Sequence, residues 1–267
     1  MELLAAGMIV GALISVVTAP VGVSGAVFLL PVQLSVFGVP SPAVTPTNLL
    51  FNVVAGPGAL WRYRRDGALR GPLTRRLVLG TVPGVVIGAV IRVFALPSPT
   101  VFRLLIAALL VPLGLWLCAR TLRWSPLRRN ARQAPAPART EPSGRIVSTL
   151  ALTVGIIGGV YGIGGGSLLG PILVGRGMPV GRVAPAALAS TFVTSLVGAA
   201  AFALLGFVGP GDVAPDWGLG LACGLGGLVG GYLGARLQPR LPETALRLVL
   251  GTLAVALGTL YAVQTLR

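Results

Sequence analysis

Thr45, Asn48 and Asn52 are polar residues in an otherwise apolar run, residues 44–61, and their spacing puts them on one face of a helix. A second apolar run, 183–206, carries Thr191, Ser195 and Gly198 on one face, with Ser190 and Thr194 beside it. Hydroxyls and carboxamides are neutral hydrogen-bonding groups, suited to a small oxyanion. Hydrogen bonding between helices of a membrane bundle is the other reading of such residues. Two asparagines facing a broken helix favour a site. The break is written in GGVYGIGGGSLLGP, Gly158 to Pro171. Gly162, Gly164, Gly165 and Gly166 crowd together there, and each disfavours helix by about 1 kcal/mol relative to alanine. Opened backbone inside a bilayer is tolerated only where it is buried in protein or faces a water-filled cavity. The break therefore marks a binding site at membrane depth, with Ser167, Leu168 and Leu169 of the next half-helix aiming N–H groups at an anion.

Those elements need a membrane. The 267 residues are 54% hydrophobic and 10% charged, with a mean hydropathy of +0.89, far from soluble-domain usage. The net charge of +15 comes from arginine alone, without lysine or histidine. Its arginines cluster between apolar runs, which fits cytoplasmic loops and not nucleic-acid binding. Cys118 and Cys223 lie inside apolar runs, so no disulfide framework is suggested. MELLAAGMIV lacks the basic region of a cleaved signal peptide and is read as the first membrane segment.

In order, the chain shows an apolar segment 3–19, a broken stretch Val21 to Pro31, the run 44–61 and a basic loop from Arg62 to Arg76. Segments 77–96 and 101–119 follow, separated by the turn signal Leu96-Pro97-Ser98-Pro99, and then an Arg/Pro-rich linker, 120–145. The second half repeats the first. Val21-Gly22-Val23-Ser24-Gly25 aligns with Tyr161-Gly162-Ile163-Gly164-Gly165, 140 residues on, and Val44-Thr45-Pro46 with Val183-Ala184-Pro185. If each broken segment crosses once, the halves are parallel and 14 arginines lie inside. If each is a hairpin, the second half is inverted, 18 arginines lie inside and only Arg92, Arg103 and Arg267 lie outside. Inversion fits the positive-inside rule better. Length agrees, because the stretch from Ala26 to Phe37 spans only about 18 Å as helix.

Gly80, Gly84 and Gly88, and again Gly226, Gly230 and Gly234, read as faces for close helix packing. GIGGGS fails the dinucleotide fingerprint, since Ser167 replaces the last glycine and no strand signal precedes it. Arg92 and Arg236 sit near segment ends and are expected to snorkel to the interface. Glu2, Asp66, Glu141, Asp212, Asp216 and Glu243 all fall in loops, turns or termini. The membrane interior thus offers no proton relay and no hard-metal cage. An anion leaving a negative-inside cell is driven outward by about 2.3 kcal/mol per charge per 100 mV, so the missing carboxylates tilt the direction toward efflux.

YGIGGGSLLGPIL (Tyr161 to Leu173) and GMPVGRVAPAALASTFVTSLVGA (Gly177 to Ala199), with a degenerate copy in the first half, resemble the sulfite exporter TauE/SafE family of membrane permeases. The resemblance covers nearly the whole chain except the linker. It implies transport of small sulfur oxyanions, organic sulfonates and related carboxylates across the cytoplasmic membrane, typically outward. It points to Gly162, Gly164, Gly165, Gly166, Pro171, Thr191, Thr194 and Ser195. The first-half copy departs from the pattern, with Ser24 and Ala26 for glycines and PTNLLFN in the following run, where ligand contacts are expected.

The expectation is an all-α polytopic membrane protein of two homologous halves, arranged as inverted repeats, each a Gly-broken helical hairpin followed by three transmembrane helices. The repeats are 1–119 and 146–267, joined by the cytoplasmic linker 120–145. Val23, Ser24, Gly25 and Gly164, Gly165, Gly166 would present backbone N–H groups to a small anion, with Asn48, Asn52, Thr191, Thr194 and Ser195 completing its shell. No cofactor, metal or catalytic residue is expected, and the partners are the anion and the lipid bilayer. A passive anion channel and a ligand-free scaffold stay open as alternatives. An integral membrane enzyme is disfavoured, because HExxH and GxSxG are missing and no intramembrane acid or histidine offers a general base.

Overall fold

The computed structural model describes residues 1–69, 71–95, 99–123, 144–176, 178–207 and 214–242, with scattered positions from 244 to 263. The turn at 96–98, most of the linker (124–143), the loop at 208–213 with Asp212, and Arg70, Gly177, Glu243, Arg247 and Arg267 lie outside the described residues. Every regular element among the described residues is helical.

In the first half, α1 (Glu2–Thr18) runs into a 3-10 turn, Ala19–Val21. Gly22 reverses the chain at a φ of 75°, in the left-handed region open to glycine. Then come α2 (Ala26–Ser35), α3 (Ser41–Arg65), α4 (Pro72–Phe94) and α5 (Pro99–Arg123). The second half repeats the order with α6 (Gly144–Tyr161), a break in which Gly162 and Gly164 take φ of 69° and 73°, α7 (Gly166–Gly175), α8 (Val180–Leu205) and α9 (Trp217–Leu237). Proline marks first turns, as at Pro72 of α4, where its missing N–H has no helical partner to lose. Asp216 caps α9 by accepting from the Leu219 N–H at 2.9 Å. Both breaks therefore open as the glycines require, and α2 and α7, at ten residues or about 15 Å each, are too short to cross a bilayer.

The chain is a multi-pass membrane protein. Glu2–Val21, Pro72–Phe94, Val180–Leu205 and Trp217–Arg240 are each long and apolar enough to cross a membrane. Their outward residues are large and apolar, such as Leu13, Leu79, Leu204 and Val229, whereas their buried faces are small or polar, such as Gly7, Gly11, Ser15 and Thr18 on α1. Lipid tails give apolar side chains no reason to turn inward, so close approach of small residues holds the helices together.

That approach fixes helix directions. Gly226, Gly230 and Gly234 of α9 press on the carbonyls of Met8, Ala12 and Val16, so α9 and α1 run the same way. Gly84 and Gly88 of α4 press on the carbonyls of Leu152 and Ile156, so α4 and α6 run the same way. Leu152 and Ile156 lie 140 residues after Ala12 and Val16. α3 and α8 run oppositely: Leu49 packs on Gly198 and Gly56 on Phe192. Gly224 packs on Val54 and Gly231 on Ala59, so α9 also runs along α3. One end of the bundle thus gathers the ends of α3 and α9 and the starts of α4 and α8, bringing together Arg64, Arg65, Arg75, Arg76, Arg182, Arg236 and Arg240.

Candidate functional site

The first break borders a small cleft between α1, α3, α8 and α9. Its polar lining comes from Ser15 and Thr18 of α1, Ser24 of the break, Asn52 of α3 and Thr191 of α8. Phe51, Phe192, Gly227 and Gly231 supply apolar wall. No charged residue lines it among the described residues. From Asn52 and Thr191 the lining extends along Ala59 of α3, Leu188 of α8 and Gly231 of α9, toward the arginine-bearing end.

Asn52 ties both breaks together. Its Oδ1 accepts from the Ser24 hydroxyl, and its Nδ2 donates to the Gly162 carbonyl at 3.4 Å. The Ser24 oxygen also accepts from the Ala26 N–H at 3.1 Å, which fixes the start of α2. A carboxamide nitrogen carries two N–H groups and Gly162 takes one, so the second is left for the cleft. Thr18 Oγ1 is buried without a hydrogen-bond partner among the described residues. A hydroxyl buried in that state costs about 1–3 kcal/mol. Together these groups make a neutral, donor-bearing pocket.

Of the expected site residues, Val23, Ser24, Gly25, Asn52 and Thr191 line the cleft. Asn48, Gly164, Gly165, Gly166, Thr194 and Ser195 do not. Asn48 Nδ2 donates to the Ala26 carbonyl at 2.9 Å, leaving its Oδ1 without a partner among the described residues. The Gly165 N–H donates to Thr194 Oγ1 at 3.0 Å, and the Val23 N–H to the Thr18 carbonyl at 3.2 Å, so these two of the expected backbone donors are already engaged. Gly166 lies against the Ala187 carbonyl, and Gly164 against Thr191 and Ser195. Ser195 Oγ has no hydrogen-bond partner among the described residues. Thr191 bridges the two regions, since its Oγ1 lies 3.3 Å from Ser167 Oγ.

Ser15, Thr18, Phe51 and Phe192 escaped the sequence reading. A signal for the first two existed, because Gly7, Gly11, Ser15 and Thr18 follow helical spacing and form one small-residue face of α1. Arg92 needs a correction. Expected to snorkel, it is 3% exposed, with Nε donating to Thr45 Oγ1 at 3.3 Å. Its counterpart Arg236 is exposed. α4 continues two residues past Arg92 to Phe94 and turns that side chain into the bundle, whereas Arg236 looks outward from α9.

A family model described as sulfite exporter TauE/SafE matches residues 7–261. No curated protein and no solved structure matches the chain.

Proposed function

Because the chain belongs to the sulfite exporter TauE/SafE family, we propose that it carries a sulfite-like anion outward across the cytoplasmic membrane by alternating access, with the cleft as its inward-facing substrate site. One observation carries this reading: a neutral cleft ends on Asn52, the side chain shared by the two breaks. The arginine-bearing end draws anions toward the mouth, and the hydroxyls and carboxamide hold them loosely enough for release. Outward movement is favoured by the membrane potential, about 2.3 kcal/mol per charge per 100 mV, and needs no coupling ion.

The repeats 1–119 and 146–267 are read as inverted. Support comes from helix directions, because α1, α3 and α9 share one and α4, α6 and α8 the other. Each element then opposes its counterpart 140-odd residues away, the plan in which two conformations of one half exchange with those of the other. The arginine-bearing end is the cytoplasmic one by the positive-inside rule.

The test is efflux of radiolabelled sulfite from proteoliposomes holding the full chain, wild type against Asn52→Leu. Wild-type flux should saturate with sulfite concentration, and Asn52→Leu should slow it. Flux rising linearly with concentration would make the protein a channel. Unchanged flux in Asn52→Leu for sulfite, methanesulfonate and acetate would remove the cleft from the path.

A further inference from the structure

Arg92 is the charged residue buried among the described residues. A guanidinium inside a membrane bundle is expensive, and such groups face interior paths. Its surroundings are specific. Nε donates to Thr45 Oγ1, and that hydroxyl donates to the Val160 carbonyl, both at 3.3 Å. Val160 and Tyr161 end α6 at the second break, and the Thr45 carbonyl presses on Gly162 too closely to admit a Cβ.

The placement is as informative as the contacts. Thr45 and Asn52 share a face of α3, about 10 Å apart along its axis. The cleft reaches Asn52 from the arginine-bearing end, and the Arg92–Thr45–Val160 chain stands beyond it, toward the opposite face. An anion leaving the cleft along this face of α3 passes Asn48 and then meets Arg92.

We propose that Arg92 is a second anion station and the latch of the far gate: the oxyanion leaving Asn52 takes the guanidinium in exchange for the Thr45 hydroxyl, which parts α4 from α3 beside the second break. This inference rests on the permease reading above. A guanidinium presents parallel N–H groups that two oxygens of a sulfite or sulfonate accept together, a match that the single oxygen of Thr45 does not make. The cleft holds the anion with neutral donors and Arg92 supplies the charge beyond it, so the anion gains attraction in the direction of export.

The experiment compares wild type, Arg92→Gln, Arg92→Lys and Thr45→Val as full chains, reading sulfite efflux from proteoliposomes and the sulfite-dependent thermal shift of the solubilised protein. Arg92→Gln should keep the thermal shift, which reports the cleft, while efflux falls about 100-fold, the scale of losing one partner of a buried charge pair. Arg92→Lys, which keeps the charge, should recover to within about tenfold of wild type. Thr45→Val should make sulfite leak faster. Arg92→Gln efflux at the wild-type rate overturns the proposal, and so does an Arg92→Lys as slow as Arg92→Gln, which would make Arg92 a packing residue. If Arg92→Gln does not fold, Thr45→Val decides, and an unchanged leak overturns the latch. A wild type that neither shifts nor releases sulfite sinks the permease reading and this one together; a wild type that does both beside an unaffected Arg92→Gln sinks this one alone.

Discussion

At the first break Gly22 alone takes a left-handed conformation, Ser24 follows it, and a cleft borders the backbone. At the second break Gly162 and Gly164 both do so, and α8 lies directly against Gly164 and Gly166. The aligned pairs explain the difference. Ser24 stands where the second copy has Gly164, without a positive φ, and its hydroxyl reaches Asn52. A side chain at Gly164 would strike Thr191, and one at Gly166 the Ala187 carbonyl, so only glycine fits there. Glycine thus serves the break that must close against a neighbouring helix, and a short polar side chain serves the break that faces a hole. The repeated glycine motif packs against a helix in one copy and borders the cleft of the proposed site in the other.

The comparison breaks most visibly at Gly162. Gly162→Val puts a β-branched side chain at a positive φ and into the Thr45 carbonyl. A loss above about 4 kcal/mol is expected, enough to abolish folding, and size-exclusion chromatography should show no monodisperse protein. Gly22→Val, facing Ala184 at a φ of 75°, should fail as badly, since both turns need the same backbone. A soluble, well-behaved Gly162→Val would mean that the second break is not held shut by this contact. Next in size is Asn52→Leu, which removes the acceptor for Ser24 and the donor for Gly162. Sulfite affinity should fall more than about tenfold with melting temperature lowered but folding intact, because one hydrogen bond to a charged group contributes about 1.5–3 kcal/mol. Isothermal titration with sulfite checks it.

Much of this architecture was legible in the sequence, for a physical reason. Inside lipid, adjacent glycines and arginines have few uses, so breaks and charged ends stand out against an apolar background. The glycines at 80, 84 and 88 and at 226, 230 and 234 pack as their spacing implied. The cleft was harder to see. Asn52 and Thr191 were found because amides and hydroxyls at membrane depth are conspicuous, but which break is open depends on how closely α8 approaches, and neighbour distances are not written in spacing. Gly164, Gly165 and Gly166 carried the stronger motif and turned out to be the packed copy. Arg92 looked like an interfacial arginine, because position along a helix says little about which way the side chain turns.

Thr18→Val sharpens the contrast by giving stability and binding opposite signs. Thr18 lines the cleft and its buried hydroxyl has no partner among the described residues, so replacing it with a methyl group should raise stability by about 1 kcal/mol while weakening sulfite binding several-fold. Ser195→Ala removes an equally unpartnered hydroxyl beside the closed break, outside the cleft. It should give the stability gain alone, which a paired melting and titration experiment would show. Binding lost in both variants would return the second break to the site.

The smallest effect belongs to the arginine-bearing end. Arg64 and Arg65 are exposed at the end of α3, on the side toward which the cleft extends, and Arg65 lies over Trp61 at 5.6 Å. Neither lines the cleft, so their part is long-range attraction of the anion. Such steering acts on the rate of encounter and fades within a Debye length, about 8 Å at physiological salt. Arg64→Gln with Arg65→Gln should therefore slow sulfite binding about two- to threefold at low ionic strength, leave dissociation unchanged, and be indistinguishable from wild type at high salt. Stopped-flow association at two salt concentrations separates this from a direct contact. A deficit that persists at high salt, with faster dissociation, would place these arginines on the anion itself and move the site from the neutral cleft to its charged rim.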